Sequence, residues 1–279
     1  MVEFETLKQL VSAGRRRTGT ALEIAGRRTP YRYEDFCTNC YKAANLFGQY
    51  GGHPGGRIDV VVGPKPEFES NAAEPIIHRP AAGTSDRGGR FTSAAPLYAL
   101  VGGTLIGATV AIQPDPIDSR VLVAPTGWQT RYDLPPGCSV LGYGGPPESA
   151  EVAHFEAECW SQNPTEPPEP VDPTDSAVRM AGEQFTHAEV CELADRTARD
   201  LQLDANTRLG LTAPLRTPAA VIGGVLAPLS VGATVVVGPS AAALHRDHDA
   251  ELVLIAERTT EENPADHDWT VPFSTLSAF

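Results

Sequence analysis

The stretch Asp175–Gly238, DSAVRMAGEQFTHAEVCELADRTARDLQLDANTRLGLTAPLRTPAAVIGGVLAPLSVGATVVVG, decides the fold. Val178 and Met180 alternate with small or polar neighbours and read as a strand. A tight connection follows. Thr186 is placed to cap a helix that carries Val190, Leu193, Ala194, Thr197, Ala198 and Leu201 on one face, at i, i+3, i+4, i+7 spacing. Arg208–Thr212 alternates as a strand. Thr217 caps a second, almost wholly apolar helix. Gly232 stops that helix, and Ala233–Val237 has the β-branched density of a buried strand. Strands alternating with helices in this order imply a parallel sheet covered by helices.

Working outward, the same unit occurs once before. Residues 34–62 read as helix, Gly-rich turn and the strand Arg57–Val62; Gly51, Gly52, Gly55 and Gly56 mark the stop. Ala95–Ile112 repeats the apolar helix and strand, and Gly107-Ala108-Thr109-Val110 recurs as Gly232-Ala233-Thr234-Val235. The chain is therefore read as two related α/β units. The first spans 1–161, the second 174–279, and the Pro-rich segment 162–173 is the linker between them.

The remaining segments read as follows. Residues 1–20 form a helix ending in the basic run Arg15–Arg17. Ala21–Tyr33 is a hairpin with Leu22, Ile24, Tyr31 and Tyr33 alternating about a turn at Gly26–Thr29. Pro64–Thr92 is a long polar loop. Arg120–Ala124, Cys138–Leu141 and Glu251–Ala256 are short strands, and Glu148–Trp160 is a helix. Asn263–Phe279 carries little pattern, with its end packing as an extended tail.

Composition narrows the classes. Asp and Glu number 35 against 22 Lys and Arg, a net charge of −13, and Lys occurs only at positions 8, 42 and 65. So acidic a surface repels nucleic-acid phosphates and stays hydrated at high salt, the composition expected of a halophilic cytoplasm or, as the alternative, of an acidic protein from a GC-rich genome. No secretory signal opens the chain. Phe91–Gln113 and Thr217–Leu244 are long and charge-free, and the first holds Gly103-x-x-x-Gly107. Each breaks at a Gly into helix and strand, which fits burial in a soluble core and no membrane span. Five cysteines at irregular spacing imply neither a disulfide framework nor a zinc site. Cys37-x-x-Cys40 lacks a second ligand pair and reads as buried thiols. His245-x-x-His248, with Asp247 and Asp249, has metal-ligand residue types but reads as an acidic surface turn. No nucleophile elbow or dinucleotide fingerprint occurs.

Taken together, "DSAVRM", "FTHAEV", "TRLGLTAPL" and "GGVLAPLSVGATVVVG" in the second unit, with "RRTPYRYEDFCTNCYKAANLF" and "LIGATVAI" in the first, resemble the adenylate-forming (AMP-dependent) acyl-CoA synthetases. The resemblance covers about the whole chain by pattern, and only the first part of a full-length enzyme. It implies the N-terminal-domain fold of that superfamily: two related α/β subdomains with mostly parallel, helix-covered sheets. It also implies a chemistry, in which carboxylate and ATP give an acyl-adenylate and then a thioester. AMP or ATP and CoA are the ligands it brings.

The residues depart from the pattern where that chemistry is done. The family places a Ser/Thr/Gly-rich, Lys-bearing loop before the helix that begins near Thr-His, so that backbone N–H groups and a cation embrace the phosphates. Here the segment is Ala181-Gly182-Glu183-Gln184-Phe185. The family's Tyr-Gly-x-Thr-Glu and Thr-Gly-Asp motifs do not occur, and no Lys follows Lys65 to serve as the lid's catalytic Lys. After Pro214-Leu215, Arg216-Thr217 stands where relatives carry an aromatic and a His. Gly182, Thr186, His187 and Arg216 are the residues matching nucleotide-proximal positions, with Arg179 nearby. His187 is expected in the first helical turn with its ring in solvent.

Three functions follow as expectations. The leading one is a catalytically degenerate binding or regulatory protein, pairing with an intact acyl-CoA synthetase or with itself. The second is an active AMP-forming ligase with a shortened site, or one completed in trans. The third is a structural remnant without ligand.

Overall fold

The computed structural model describes residues 4–62, 93–212, 215–238, 241–255 and 270–272. Along the chain, α1 (Leu7–Gly14) precedes a hairpin of β1 (Thr20–Ile24) and β2 (Tyr31–Arg32). Then come α2 (Tyr33–Gln49), β3 (Arg57–Val60), α3 (Ala95–Leu105), β4 (Thr109–Ile112), β5 (Val121–Pro125), β6 (Ser139–Tyr143), β7 (Val152–His154) and α4 (Phe155–Trp160). A second hairpin, β8 (Ser176–Met180) and β9 (Glu183–Thr186), opens the later part. It is followed by α5 (His187–Asp200), β10 (Arg208–Leu211), a π-helical segment Ala219–Leu226 running into α6 (Ala227–Val231), β11 (Thr234–Val237), α7 (Ala241–His248), β12 (Leu252–Ile255) and β13 (Thr270–Pro272).

Two sheets result, in the orders β7-β6-β5-β3-β4-β8-β9 and β13-β12-β10-β11-β1-β2. Within them, β4-β3-β5-β6 and β11-β10-β12-β13 are the same arrangement: the first strand central, the second on one side, the third and fourth on the other. All these neighbours pair in parallel. The two units of the sequence reading are therefore one topology built twice.

The sheets nevertheless cross the division at 162–173, in both directions. The first hairpin joins the later sheet, with β1 parallel to β11; the second joins the earlier sheet, with β8 parallel to β4. The exchange has matching register. Leu22, two residues before the end of β1, pairs with Val235, and Val178, two before the end of β8, pairs with Val110. Those valines close the repeated Gly-Ala-Thr-Val segments. The Thr of each segment donates its hydroxyl to the carbonyl of the first residue of the visiting strand: Thr234 to Thr20 at 3.0 Å, Thr109 to Ser176 at 3.3 Å. One continuous core draws on both parts of the chain, from Leu7 to Val237.

Glycines set the closest approaches. A Cβ at Gly102 would lie 2.8 Å from the Cys40 carbonyl and the Ala43 Cβ, and one at Gly103 would lie 2.5 Å from Val110. These small residues seat α3 between α2 and the sheet, and among the described residues no helix is long and apolar enough to cross a membrane. Gly232 ends α6 at φ +91°, as read. The helix before it is wider than expected: the Ala227 N–H bonds the Ile222 carbonyl, five residues back. An α-helical path would drive the Pro228 ring into the carbonyl four residues earlier, and the wider turn relieves that clash.

Three readings are corrected. Glu148–Trp160 is a strand and then a short helix, because Val152 and Ala153 pair in parallel with Val140 and Leu141; only Phe155 and Cys159 keep the helical spacing. Glu183–Thr186, read as loop, is the strand β9. Arg15–Arg17 lies beyond α1, where Arg17 donates to the Leu229 and Ser230 carbonyls at 2.6 and 2.7 Å and so satisfies the end of α6. The Pro-rich 162–173 segment lies along the first helices: Asn45 donates to the carbonyls of Asn163 and Thr165, and Lys8 to those of Pro167 and Glu169. The five thiols are unbonded to one another, and all but the half-buried Cys138 are buried. The loop read at Pro64–Thr92 and most of Asn263–Phe279 lie outside the described residues.

Candidate functional site

The residues that the sequence resemblance implies for nucleotide binding begin at the second hairpin. Arg179 faces Gln184 and Met180 faces Glu183 across an antiparallel pair, so only Ala181 and Gly182 connect the strands. Both have positive φ, +52° and +85°, as a two-residue turn matched to strand twist requires. Glycine takes this conformation without strain, and nothing lies within 4 Å of a Cβ built on Gly182. Glu183 and Gln184 are exposed at the tip. The turn has no room to curl several N–H groups around a phosphate, and its nearest charge at the tip is a carboxylate.

At the base of the hairpin, Thr186 caps α5 in a closed box. Its hydroxyl oxygen accepts from the Glu189 N–H at 3.2 Å, and the Glu189 carboxylate accepts from the Thr186 N–H at 2.8 Å. These two donors are thus occupied within the protein. The hydrogen bonds that its carboxylate accepts, chiefly from the Thr186 backbone N–H and also from the Thr186 hydroxyl at 3.0 Å, hold the Glu189 carboxyl below its usual range. A carboxylate already answers the positive end of the helix dipole.

His187 is not in solvent. Its ring is fully buried, and Nδ1 accepts from the Leu7 N–H at 3.2 Å, joining the start of α1 to the start of α5. That bond assigns the remaining proton to Nε2, which finds no hydrogen-bond partner among the described residues. Burial pulls the imidazole down from 6.5 to about 4, against a small opposing effect of Asp175. The ring is a neutral internal strut. The sequence places this residue only in the first helical turn; that α1 covers that turn is a fact of tertiary packing. Arg216 is half-buried on the connection that leaves β10, in the other sheet. Gly182, Thr186 and His187 thus share one hairpin–helix corner, and Arg216 belongs to a different crossover.

By superposition on solved structures, this doubled parallel α/β scaffold is the fold of the N-terminal part of adenylate-forming enzymes. Among solved structures, the anthranilate CoA ligase AuaEII in complex with anthranoyl-AMP superimposes with a TM-score of 0.69 at 14% identity, over 92% of this chain and 50% of that one. The N-terminal domain of FACL13 from Mycobacterium tuberculosis gives 0.65 at 13%, over 91% and 63%. The nonribosomal peptide synthetase FmoA3 in its AMPPNP-bound form gives 0.65 at 18%, over 92% and 26%. The chain therefore spans less than two-thirds of the length of each. No protein-family profile and no curated protein sequence matches it.

Proposed function

We propose that the chain is a catalytically degenerate relative of the adenylate-forming enzymes that acts as a binding or regulatory protein, pairing with an intact acyl-CoA synthetase or with a second copy of itself. The observation that carries this reading is the Ala181–Gly182 turn. Where the resemblance calls for a phosphate-embracing loop, two residues close a hairpin, and the helix behind them is capped by its own Thr186 and Glu189. Buried His187, engaged with Leu7, supports it by leaving no imidazole at that corner to meet a ligand.

Carboxylate-dependent pyrophosphate exchange tests the catalytic half of the proposal. The expected result is no exchange with any carboxylate in a panel of aliphatic and aromatic acids. Exchange abolished by Arg216→Ala would establish an active ligase instead. Capture from native lysate at high salt tests the partner half. Recovery of a synthetase or of a self-associated form is expected; recovery of neither, with a monomer in solution, refutes it.

A further inference from the structure

We propose that the cleft between the first hairpin and α2 binds an acidic, extended segment of a partner protein. The cleft measures about 410 Å³ and is lined by Arg27, Tyr31, Asp35, Asn39, Lys42 and Trp160 among others. At one end Trp160, the last residue of α4, is 81% exposed, the only large apolar side chain so exposed among the described residues. Lys42 donates to the Trp160 carbonyl at 3.0 Å, with its ammonium 5.1 Å from the indole centroid. At the other end the Arg27 guanidinium sits 5.3 Å above the Tyr31 ring and donates to its hydroxyl. Tyr31 stands edge-on to Tyr98 at 6.0 Å, and the Tyr98 hydroxyl accepts from Asn39 at 3.2 Å.

Both cations are thus held in place against aromatic faces before any ligand arrives, which lowers the ordering cost of binding. Two cations against the single lining carboxylate of Asp35 make the cleft locally positive on a chain of net charge −13. That reversal favours an acidic occupant and disfavours a basic one. Trp, Tyr and Arg are also the side chains that dominate interface energetics. The shape favours a chain segment over a small molecule. The trough is open and follows α2 from Asp35 to Lys42, about 10 Å of helix at 1.5 Å per residue. Three or four extended residues, at roughly 3.1–3.4 Å each, match that length. A small-molecule site would enclose some 70–90% of its ligand. Carboxylates at the two ends of the segment would meet Lys42 and Arg27, and an apolar or proline side chain between them would lie on Trp160 and Tyr31.

This inference rests on the reading of the chain as a partner-binding protein, and it uses elements other than the 181–187 corner. The test is fluorescence anisotropy with a labelled hexapeptide of alternating Glu and Pro carrying one Phe. Controls are the same peptide with Lys for Glu, and unlabelled benzoate as competitor. Saturable binding of the acidic peptide is expected, with none of the basic one. Affinity should fall about tenfold or more in each of Trp160→Ala, Lys42→Glu and Arg27→Glu. Circular dichroism of the three surface variants should match the parent. No saturable binding up to about 1 mM, a threshold near −4 kcal/mol, would overturn the proposal. So would affinity unchanged in all three variants, or full displacement of the acidic peptide by benzoate. Because the titration uses purified protein, its failure is separable from a failed capture of partner from lysate.

Discussion

The two hairpins enter their sheets alike and differ in what joins their strands. In each, the residue two before the strand end pairs with the Val of a Gly-Ala-Thr-Val segment in the other part of the chain, and a Thr hydroxyl fixes the register. Ile24-Ala25-Gly26 and Met180-Ala181-Gly182 then align, with φ +87° at Gly26 and +85° at Gly182. Beyond this point they diverge. The first turn continues through Arg27, Arg28, Thr29 and Pro30 and borders a cationic, aromatic cleft; the second reverses at once into Glu183. The first residue of the helix behind each hairpin reaches a backbone group of a distant element. Tyr33 donates to the Ala233 carbonyl at 2.6 Å, and His187 accepts from the Leu7 N–H. Strand exchange and helix anchoring are thus common to both copies, and the turns carry what distinguishes them.

The largest effect should come from separating the copies. Residues 1–161 alone keep β1 and β2 but lose the β11 that pairs with them, and residues 174–279 alone keep β8 and β9 but lose β4. Neither fragment should show a cooperative thermal transition by circular dichroism, and mixing them should restore one. A fragment that melts cooperatively alone would show that the exchange is dispensable.

Acid should act next, through His187. Its folded pKa is depressed to about 4 from 6.5, so the unfolded chain binds a proton more readily. No cost is present above pH 6.5. Stability is lost as pH falls from there to about 4, where the folded state also titrates. At 1.36 kcal/mol per unit the loss attributable to this ring is on the order of 3 kcal/mol. Urea unfolding at pH 7 and pH 4.5 should resolve it. His187→Gln should lower stability at pH 7 and flatten this part of the pH dependence; an unchanged slope would place the ring outside the core.

Thr186→Ala opens the cap of α5 and should cost about 1 kcal/mol. If the freed Glu189 N–H then takes up phosphate, the Thr186 cap is what blocks an anion at this corner. The smallest effect is expected from salt. With a net charge of −13, screening that reaches about 10 Å at 0.1 M should raise the melting temperature steadily toward molar salt. A flat profile would argue against the halophilic reading.

Much of this was legible in the residues. The period of α5, its Thr186 cap, the Gly232 stop and the repeated Gly-Ala-Thr-Val gave the doubled α/β unit. The exchange of hairpins is not, because partners as far apart in sequence as Leu22 and Val235, or Val110 and Val178, leave no local trace of their pairing. Nor was β9 read, although Ala181-Gly182 between Met180 and Phe185 is a turn dipeptide between short alternating runs. The burial of His187 is illegible for a related reason: helical position gives the direction of a side chain, and only tertiary packing says what lies there. The spacing over 148–160 predicts a long helix ending at Trp160; β7 shortens that helix and leaves the indole exposed beside Lys42.

The reading that the second hairpin cannot hold a triphosphate is tested by isothermal titration of Mg·ATP into the protein at molar salt. A dissociation constant weaker than about 1 mM, roughly −4 kcal/mol, is expected. A micromolar site would contradict it, and would mean that another part of the chain supplies the donors and the cation that the Ala181–Gly182 turn does not.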